Sequence, residues 1–166
     1  MSAKELDIFM LSHNSITGKI PSAIRNLVSL TTLSLEANGL SGVLPVEISS
    51  LNKLSKLNVS GNNISGRIPT SIVDCPELTS MDLSGNSLDG EIPIGISNLT
   101  ELTLLNLSMN HLSGPIPEEM GSMSSLTILD LSYNNFSGRL PSGNQFRYFS
   151  DNNRSFAGNA NLCLPQ

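Results

Sequence analysis

A strict 24-residue repeat constrains this chain more than any other feature of its sequence. Asn, Gly and Pro each recur every 24 residues. They stand at Asn14, Asn38, Asn62, Asn86, Asn110 and Asn134, at Gly18, Gly42, Gly66, Gly90, Gly114 and Gly138, and at Pro21, Pro45, Pro69, Pro93, Pro117 and Pro141. Such a period is typical of a solenoid, in which each repeat buries its apolar residues only against its neighbours. The sequence therefore predicts a stack of six coils.

Each repeat contains a pattern typical of one short strand followed by a turn. Apolar residues precede the Asn by three and five positions, as Leu107 and Leu105 precede Asn110. This alternation predicts a strand with one buried face, and stacked copies make a parallel sheet. The Asn side chain can satisfy backbone groups that a curved coil leaves unpaired. The Gly suits a positive φ, and the Pro suits a bend before an irregular or 3₁₀ stretch.

The charge balance and the cysteines exclude several classes of protein. The chain has 166 residues, with nine Lys and Arg against fourteen Asp and Glu, which is the wrong sign for a nucleic-acid partner. No stretch approaches the roughly 18 apolar residues of a membrane span. Cys75 and Cys163 form neither a CxxC site nor a disulfide-dense scaffold. We expect no nucleic-acid partner, no membrane span in this chain and no cofactor.

No arrangement of residues indicates an enzyme. His13 and His111 belong to different repeats, and neither stands beside a Cys or an acid at metal-ligand spacing. No Ser, His and Asp converge as a triad would require. The sequence therefore predicts a chain without catalytic or metal-binding residues.

One complete repeat runs from Leu126 to Pro141 and reads LTILDLSYNNFSGRLP. The consensus LxxLxxLxLxxNxLSGxIPxxI, matched over residues 6–141, resembles the plant-specific class of leucine-rich repeat. The resemblance implies a leucine-rich-repeat solenoid. It would form a right-handed superhelix with a parallel β-sheet on its concave face, and with short second strands and 3₁₀ segments elsewhere. Residues 1–141 would then be six repeats.

The repeat frame stops after Pro141, because a seventh copy would place its Asn and Gly where the chain has Gly158 and Leu162. An open solenoid needs a cap, and we expect residues 142–166 to be a truncated one. The segment SFAGNANLCLP at 155–165 resembles the end of the repeat domain in CLAVATA-type plant receptor kinases. The resemblance implies a C-terminal piece of an extracellular domain at the plasma membrane, in the apoplast. It would perceive a CLE-like peptide hormone, and the full-length parent would carry a Ser/Thr kinase domain.

The resemblance also implies a cap disulfide. In that family the cap Cys pairs with another a few residues on, so Cys163 would have lost its partner. Cys75 stands in frame with Leu27, Leu51 and Leu99, a slot that predicts a buried free thiol. Leu6, Phe9 and Leu11 would be partly exposed at the other end.

The outward positions of the strands are the candidate binding surface, because solenoids usually bind on the concave face. The peptide-facing candidates on this strip are Glu36, Lys56, Asn58, Ser80, Asp82, Asn106 and Asp130. Such a polar strip suits recognition of a secreted, extended peptide by side-chain hydrogen bonds. The alternative is a solvated sheet face that binds nothing in this chain.

Peptide receptors of the resembled family commonly hold the peptide carboxylate with an Arg-x-Arg pair on this face. No strip position here is Arg, which argues against hormone binding by this stretch alone. In related receptors the last repeats and the cap contact a co-receptor of the SERK type. By resemblance, the candidates for that contact are Met109, Asp130, Tyr133, Phe146 and Tyr148. The alternative, which we favour for Phe146 and Phe156, is that the cap aromatics belong to the core.

N-x-[ST] sequons predict N-glycosylation. They occur at Asn58, Asn63, Asn98, Asn106, Asn135 and Asn153. Asn58 and Asn106 project onto the predicted strip, so glycans there would block it. Two other functions remain open: a secreted inhibitor of a cell-wall-degrading enzyme, similar to polygalacturonase inhibitors, and an excised solenoid without a complete function.

Overall fold

Two parallel sheets run the length of the computed structural model, which describes residues 3–151 and 154–163. The first sheet has six strands: β1 (Ile8–Met10), β3 (Thr32–Ser34), β5 (Lys56–Asn58), β7 (Ser80–Asp82), β9 (Leu104–Asn106) and β11 (Ile128–Asp130). The second has seven: β2 (Thr17–Lys19), β4 (Gly39–Val43), β6 (Asn63–Arg67), β8 (Ser87–Gly90), β10 (His111–Pro115), β12 (Asn135–Arg139) and β13 (Asn161–Cys163). Neighbours in the first sheet pair with a 24-residue shift, so that Phe9 lies beside Leu33. The predicted leucine-rich-repeat solenoid is confirmed.

The third side of each coil is a 3₁₀ segment that begins directly after a recurring Pro. After the opening segment Ala3–Glu5, these segments are Ser22–Asn26, Val46–Ser50, Thr70–Asp74, Ile94–Asn98 and Glu118–Ser122. Pro fixes φ near the value that the bend requires, and Pro69 has φ −63°. The glycine before each bend has a positive φ, as predicted; it is +76° at Gly114. After Pro141 the 3₁₀ segment is replaced by a helix, α1 (Asn144–Asp151).

A continuous apolar core fills the space between the sheets and the 3₁₀ segments. Leu33, Leu57 and Leu105, the middle residues of their strands, are 0–1% exposed. Cys75 is fully buried in this core, as predicted, and burial raises the pKa of its thiol to about 11, with a smaller contribution from Asp74. Cys163 is free and exposed.

The recurring asparagines connect each coil to the one before it. The Nδ2 of Asn86 donates to the carbonyls of Val59 at 3.0 Å and Leu83 at 3.1 Å, and its Oδ1 accepts from the amide of Ile64 at 3.0 Å. The same contacts recur at Asn38, Asn62, Asn110 and Asn134, and we call the series the asparagine ladder. The expected role of this Asn, pairing backbone groups within the coil, is confirmed.

The ladder continues past the point where the sequence frame stops. Asn159, 25 residues after Asn134, donates to the carbonyl of Leu131 at 3.0 Å and accepts from the amide of Phe136 at 3.0 Å. Gly158 has φ +75° and fills the preceding position, and β13 adds a strand to the second sheet. A one-residue insertion therefore hides a seventh, partial coil that a fixed 24-residue frame does not detect.

A second ladder, which the sequence analysis missed, precedes the strands of the first sheet. The hydroxyls of Thr79, Thr103 and Thr127 each donate to the carbonyl 24 residues earlier, at 2.9–3.2 Å. Thr31 makes the same contact with Asp7, and Ser55 bonds the hydroxyl of Thr79. Hydroxyl residues recurring at this period are the signal that could have revealed it.

Candidate interaction surface

We term the outward side of the first sheet the front face, and its polar side chains are fixed by local turns. The Oδ1 atoms of Asn58, Asp82, Asn106 and Asp130 each accept from the amide and the hydroxyl of the serine two residues later, at 2.6–3.1 Å. These side chains are half-buried. Because Oδ1 is engaged, each side chain is held in a restricted orientation, with one further polar atom (Oδ2 or Nδ2) outside the turn.

Charged side chains are few on the front face. Asp82 has a neutral neighbour, since the amide of Asn106 lies 3.4 Å from its Oδ2. Burial raises the pKa of the Glu36 carboxyl, but hydrogen bonds from Ser34 and from its own backbone amide outweigh this and lower the pKa. Lys56 is exposed, and Ser80 stands beside it in the register. The seven peptide-facing candidates therefore lie on one accessible surface that carries more acid than base.

One edge of the front face carries side chains in a left-handed backbone conformation. The residue before each ladder Asn has φ between +52° and +75°. Three of these residues are glycines (Gly61, Gly85 and Gly158), and four carry side chains (His13, Ala37, Met109 and Tyr133). Met109 and Tyr133, in adjacent coils, are 62% and 63% exposed. At this edge, the fifth and sixth coils therefore expose a pair of large apolar side chains to solvent.

The opposite edge carries a second apolar pair, whose two residues are not among the predicted contact residues. Leu104 and Ile128 are partners in the sheet register. Ile128 is 54% exposed and Leu104 is half-buried. Exposed apolar residues therefore flank Asn106 and Asp130 on both sides.

In the cap, one residue predicted as a co-receptor contact, Phe146, is buried instead. Phe146 is 2% exposed, lies 6.0 Å from Phe149 and stacks on Phe156 at 6.1 Å between ring centroids. It cannot contact a partner, because the apolar face of α1 packs it onto the end of the core. Tyr148, on the opposite side of α1, is 64% exposed and stays a candidate.

The sequons fall into two groups. Asn63, Asn98 and Asn135 are exposed, and we call them the lateral sequons. Asn58 and Asn106 form the front-face sequons, whose serines bond the asparagine itself; Asp82 and Asp130 make the same turn with Ser84 and Ser132. The turn therefore explains why a serine follows Asn58 and Asn106 by two residues, without any need for a glycan at these sites. Asn153 lies outside the described residues.

The described part of the chain holds neither a metal-type cluster nor a membrane-spanning helix. In residues 3–151 and 154–163, no three His, Cys, Asp or Glu side chains come together as metal ligands would. No helix in those ranges is long and apolar enough to cross a bilayer.

Comparisons with solved structures find plant receptor ectodomains. The chain is 39% identical to the plant peptide hormone receptor RGFR1, solved with RGF2, over 83% of this chain and 22% of that one, with a TM-score of 0.82. It is 35% identical to the Arabidopsis receptor kinase HAESA, solved with the peptide hormone IDA and the co-receptor SERK1, over 96% of this chain and 30% of that one, with a TM-score of 0.82. The chain thus spans less than a third of these receptors.

A shorter relative is matched over more of its length. The chain is 37% identical to a chain of the Arabidopsis thaliana BIR3–SERK2 complex, over 79% of this chain and 68% of that one, with a TM-score of 0.69. A comparison with curated protein sequences finds no match.

Family models agree with the geometry. Models described as leucine rich repeat match residues 76–136 and residues 4–27, 29–51 and 53–75. These matches cover most of the six coils, so the chain belongs to the leucine-rich repeat family.

Proposed function

We propose that this chain is a ligand-recognition part of the extracellular domain of a plant receptor kinase. Its front face takes an extended, CLE-like peptide hormone, and its last coils and cap contact a SERK-type co-receptor. The parent protein carries a Ser/Thr kinase domain and holds this chain in the apoplast. The observation that carries the proposal is the exposed pair Met109 and Tyr133 in the left-handed conformation.

A left-handed backbone costs a residue with a Cβ about 1 kcal/mol or more, whereas Gly adopts it freely. Gly61 and Gly85 show that the coil accepts Gly at this position. Met109 and Tyr133 therefore add strain and expose apolar area without contributing to the core. Strain of this kind is found at functional sites, where the side chain is needed for contact. Asp130 and Tyr148 complete the proposed co-receptor surface.

The proposed peptide contacts are Glu36, Lys56, Asn58, Ser80, Asp82, Asn106 and Asp130. The serine turns hold four of them in place: Asn58, Asp82, Asn106 and Asp130. Side chains that are already ordered lose little conformational entropy on binding, which favours recognition of an extended peptide. The absence of a front-face Arg means that the peptide carboxylate would be held by other parts of the parent.

The relatives support this assignment. HAESA is solved with a peptide hormone and SERK1 together, and RGFR1 is solved with RGF2. Both relate to this chain at more than 30% identity, over 83% or more of its length.

The test compares two substitutions at equivalent positions. Met109→Gly and Ala37→Gly both relieve a left-handed residue, with φ +55° and +52°. Only Met109→Gly removes an exposed apolar side chain from the proposed contact. Binding is measured by biolayer interferometry between the immobilised chain and the SERK1 ectodomain, with and without a panel of synthetic CLE peptides.

We expect Met109→Gly to weaken binding at least tenfold and Ala37→Gly to leave it unchanged. Neither substitution should lower the melting temperature, because both remove strain. Equal affinity for the wild type and Met109→Gly would refute the co-receptor surface. Binding to a polygalacturonase, with none to SERK1 under any peptide, would favour the inhibitor instead.

A further inference from the structure

One row of outward side chains on the front face alternates between large and small residues. The row crosses the first sheet in register and takes one residue from each strand. We call its first five members the anchor row: Ile8, Thr32, Lys56, Ser80 and Leu104. The large side chains come from the first, third and fifth coils, and small hydroxyl residues separate them. Because neighbouring strands lie about 4.8 Å apart, consecutive large residues are about 9.6 Å apart.

The anchor row is accessible to solvent. Ile8 and Lys56 are exposed, and Leu104 is half-buried. The exposure of Ile8 belongs to its position in the repeat, because Ile128 at the same position of the sixth coil has nearly the same value, 54% against 55%. A depression of about 380 Å³ follows the first four members of the row, and the neighbouring row adds Met10, Ser34 and Asn58 to its lining.

Lys56 places an unpaired positive charge in the middle of the anchor row. No carboxylate in residues 3–151 and 154–163 forms an ion pair with it. The Glu36 carboxylate accepts from the hydroxyl of Ser34 at 2.7 Å. The Oδ2 of Asp82 lies 3.4 Å from the amide of Asn106, in the coil on the side away from Lys56. The ammonium is therefore open to a carboxylate from a ligand, which would make a charge-assisted contact.

The spacing of the anchor row selects a backbone conformation for that ligand. A peptide that contacts several coils must cross the strands, because each strand of the first sheet is only three residues long. In a polyproline II helix, residues i and i+3 lie on one side and about 9.3 Å apart, close to the 9.6 Å or so of two coils. Side chains on one side of a β-strand repeat about every 6.7 Å, which matches neither one coil nor two. A polyproline II backbone also stays solvated, which suits a sheet face whose own backbone groups are paired within the sheet.

We propose that the anchor row binds a polyproline II segment of the peptide ligand, with an acidic side chain at Lys56 and apolar side chains three residues before and after it, at Ile8 and Leu104. This inference rests on the proposed function and names the class of peptide that the front face selects. Thr32 and Ser80 leave room for the two residues between each pair of contacts. Because an apolar contact lies on each side of Lys56, the acid belongs to a side chain within the segment and not to the end of the peptide.

Three synthetic peptides, acetylated and amidated at their ends, test the spacing and the charge. The first is Leu-Pro-Pro-Glu-Pro-Pro-Leu. The second, Pro-Leu-Pro-Glu-Pro-Leu-Pro, has the same composition but places Leu two residues from Glu. The third replaces the Glu of the first by Gln. Isothermal titration calorimetry with the whole chain measures the three affinities at low ionic strength, where exposed charges are little screened.

We expect the first peptide to bind about threefold or more tighter than each of the others, which is the scale of an exposed ion pair. Lys56→Gln should abolish the preference for Glu over Gln. Lys53→Gln is the matched control, since it removes the same charge from an exposed position in the turn before the strand, and it should keep that preference. Leu104→Ser, which copies Ser80 of the preceding coil, should weaken the preference for the three-residue spacing.

Equal affinity for the two spacings, no binding of any peptide, or a preference for Glu that survives Lys56→Gln would overturn the proposal. The proposed co-receptor contact is tested separately, because it depends on Met109 and not on Lys56. A chain that binds SERK1 through Met109 but does not distinguish the peptides would keep the proposed co-receptor contact and refute the anchor row. Discrimination of the peptides without binding of SERK1 would support the anchor row and refute the co-receptor contact.

Discussion

The asparagine ladder makes a quantitative prediction for Asn86→Ala. Asn86 is 8% exposed, its Oδ1 accepts from the amide of Ile64, and its Nδ2 donates to the carbonyls of Val59, Leu83 and Ser84. The substitution removes all four bonds, but their loss is unequal. The amide of Ile64 loses the acceptor that Asn86 supplies and becomes a buried donor without this bond.

The three carbonyls each keep a second donor. Asn62 still bonds the carbonyl of Val59, Asn110 bonds that of Leu83, and the amide of Gly61 bonds that of Ser84. An orphaned buried amide costs about 1–3 kcal/mol, and the lost donations add about 1 kcal/mol in total because their acceptors stay paired. We therefore expect Asn86→Ala to lower the free energy of unfolding by about 3 kcal/mol. For comparison, the free energy of unfolding of a whole chain of 166 residues is roughly 8–25 kcal/mol.

Urea unfolding followed by circular dichroism measures this difference, and Asn14→Ala is the matched control. Asn14 has the same position in the repeat, but no amide of the described residues donates to its Oδ1, so its substitution should cost under about 1 kcal/mol. A cost for Asn86→Ala as small as that of Asn14→Ala would refute the reasoning, since the Ile64 amide could not then depend on Asn86.

Four other measurements test the structure. Native Cys163 should react with a thiol reagent within minutes, while the buried thiol of Cys75 should not react until the chain unfolds. In the folded chain the pKa of the Cys75 thiol is about 11, above the ordinary 9.0. The contribution of the thiol to the free energy of unfolding is therefore complete below pH 9 and is lost as the pH rises toward 11. This alkaline destabilisation, of up to about 3 kcal/mol, should be smaller in Cys75→Ala. Gly121→Ala should destabilise the cap strongly, because its Cβ would clash with the carbonyl oxygen of Ser142. Gly95→Ala, with contacts of 3.4 Å or more, should be neutral or stabilising, and thermal unfolding distinguishes the two variants. After secretion from plant cells, glycopeptide mass spectrometry should find glycans at the lateral sequons and not at the front-face sequons; glycans at Asn58 or Asn106 would contradict a free front face.

The candidate surface could be predicted in position but not in detail. Counting back from each Asn places Asp82 and Asp130 on the front face because a strand alternates its faces with period two. The engagement of their Oδ1 atoms by Ser84 and Ser132 depends on the turn that follows each strand, which a count of positions does not reveal. Phe146 was predicted both as a contact and as core. Only the direction in which α1 packs, with Phe149 and Phe156 beside it, decided for the core.

The sequence by itself determined the coil. A fixed 24-residue period forces equivalent residues into register, so the strands, the bends after Pro and the buried leucines all follow from one repeat. Tertiary structure decided what happens where the period breaks. Asn159 joins the ladder across a one-residue insertion because the carbonyl of Leu131 and the amide of Phe136 in the coil before it keep the positions that a ladder Asn bonds. It also decided that the ladder side chains bond the coil before them as well as their own, as Asn86 bonds both Val59 and Leu83, since each coil is completed by its neighbour.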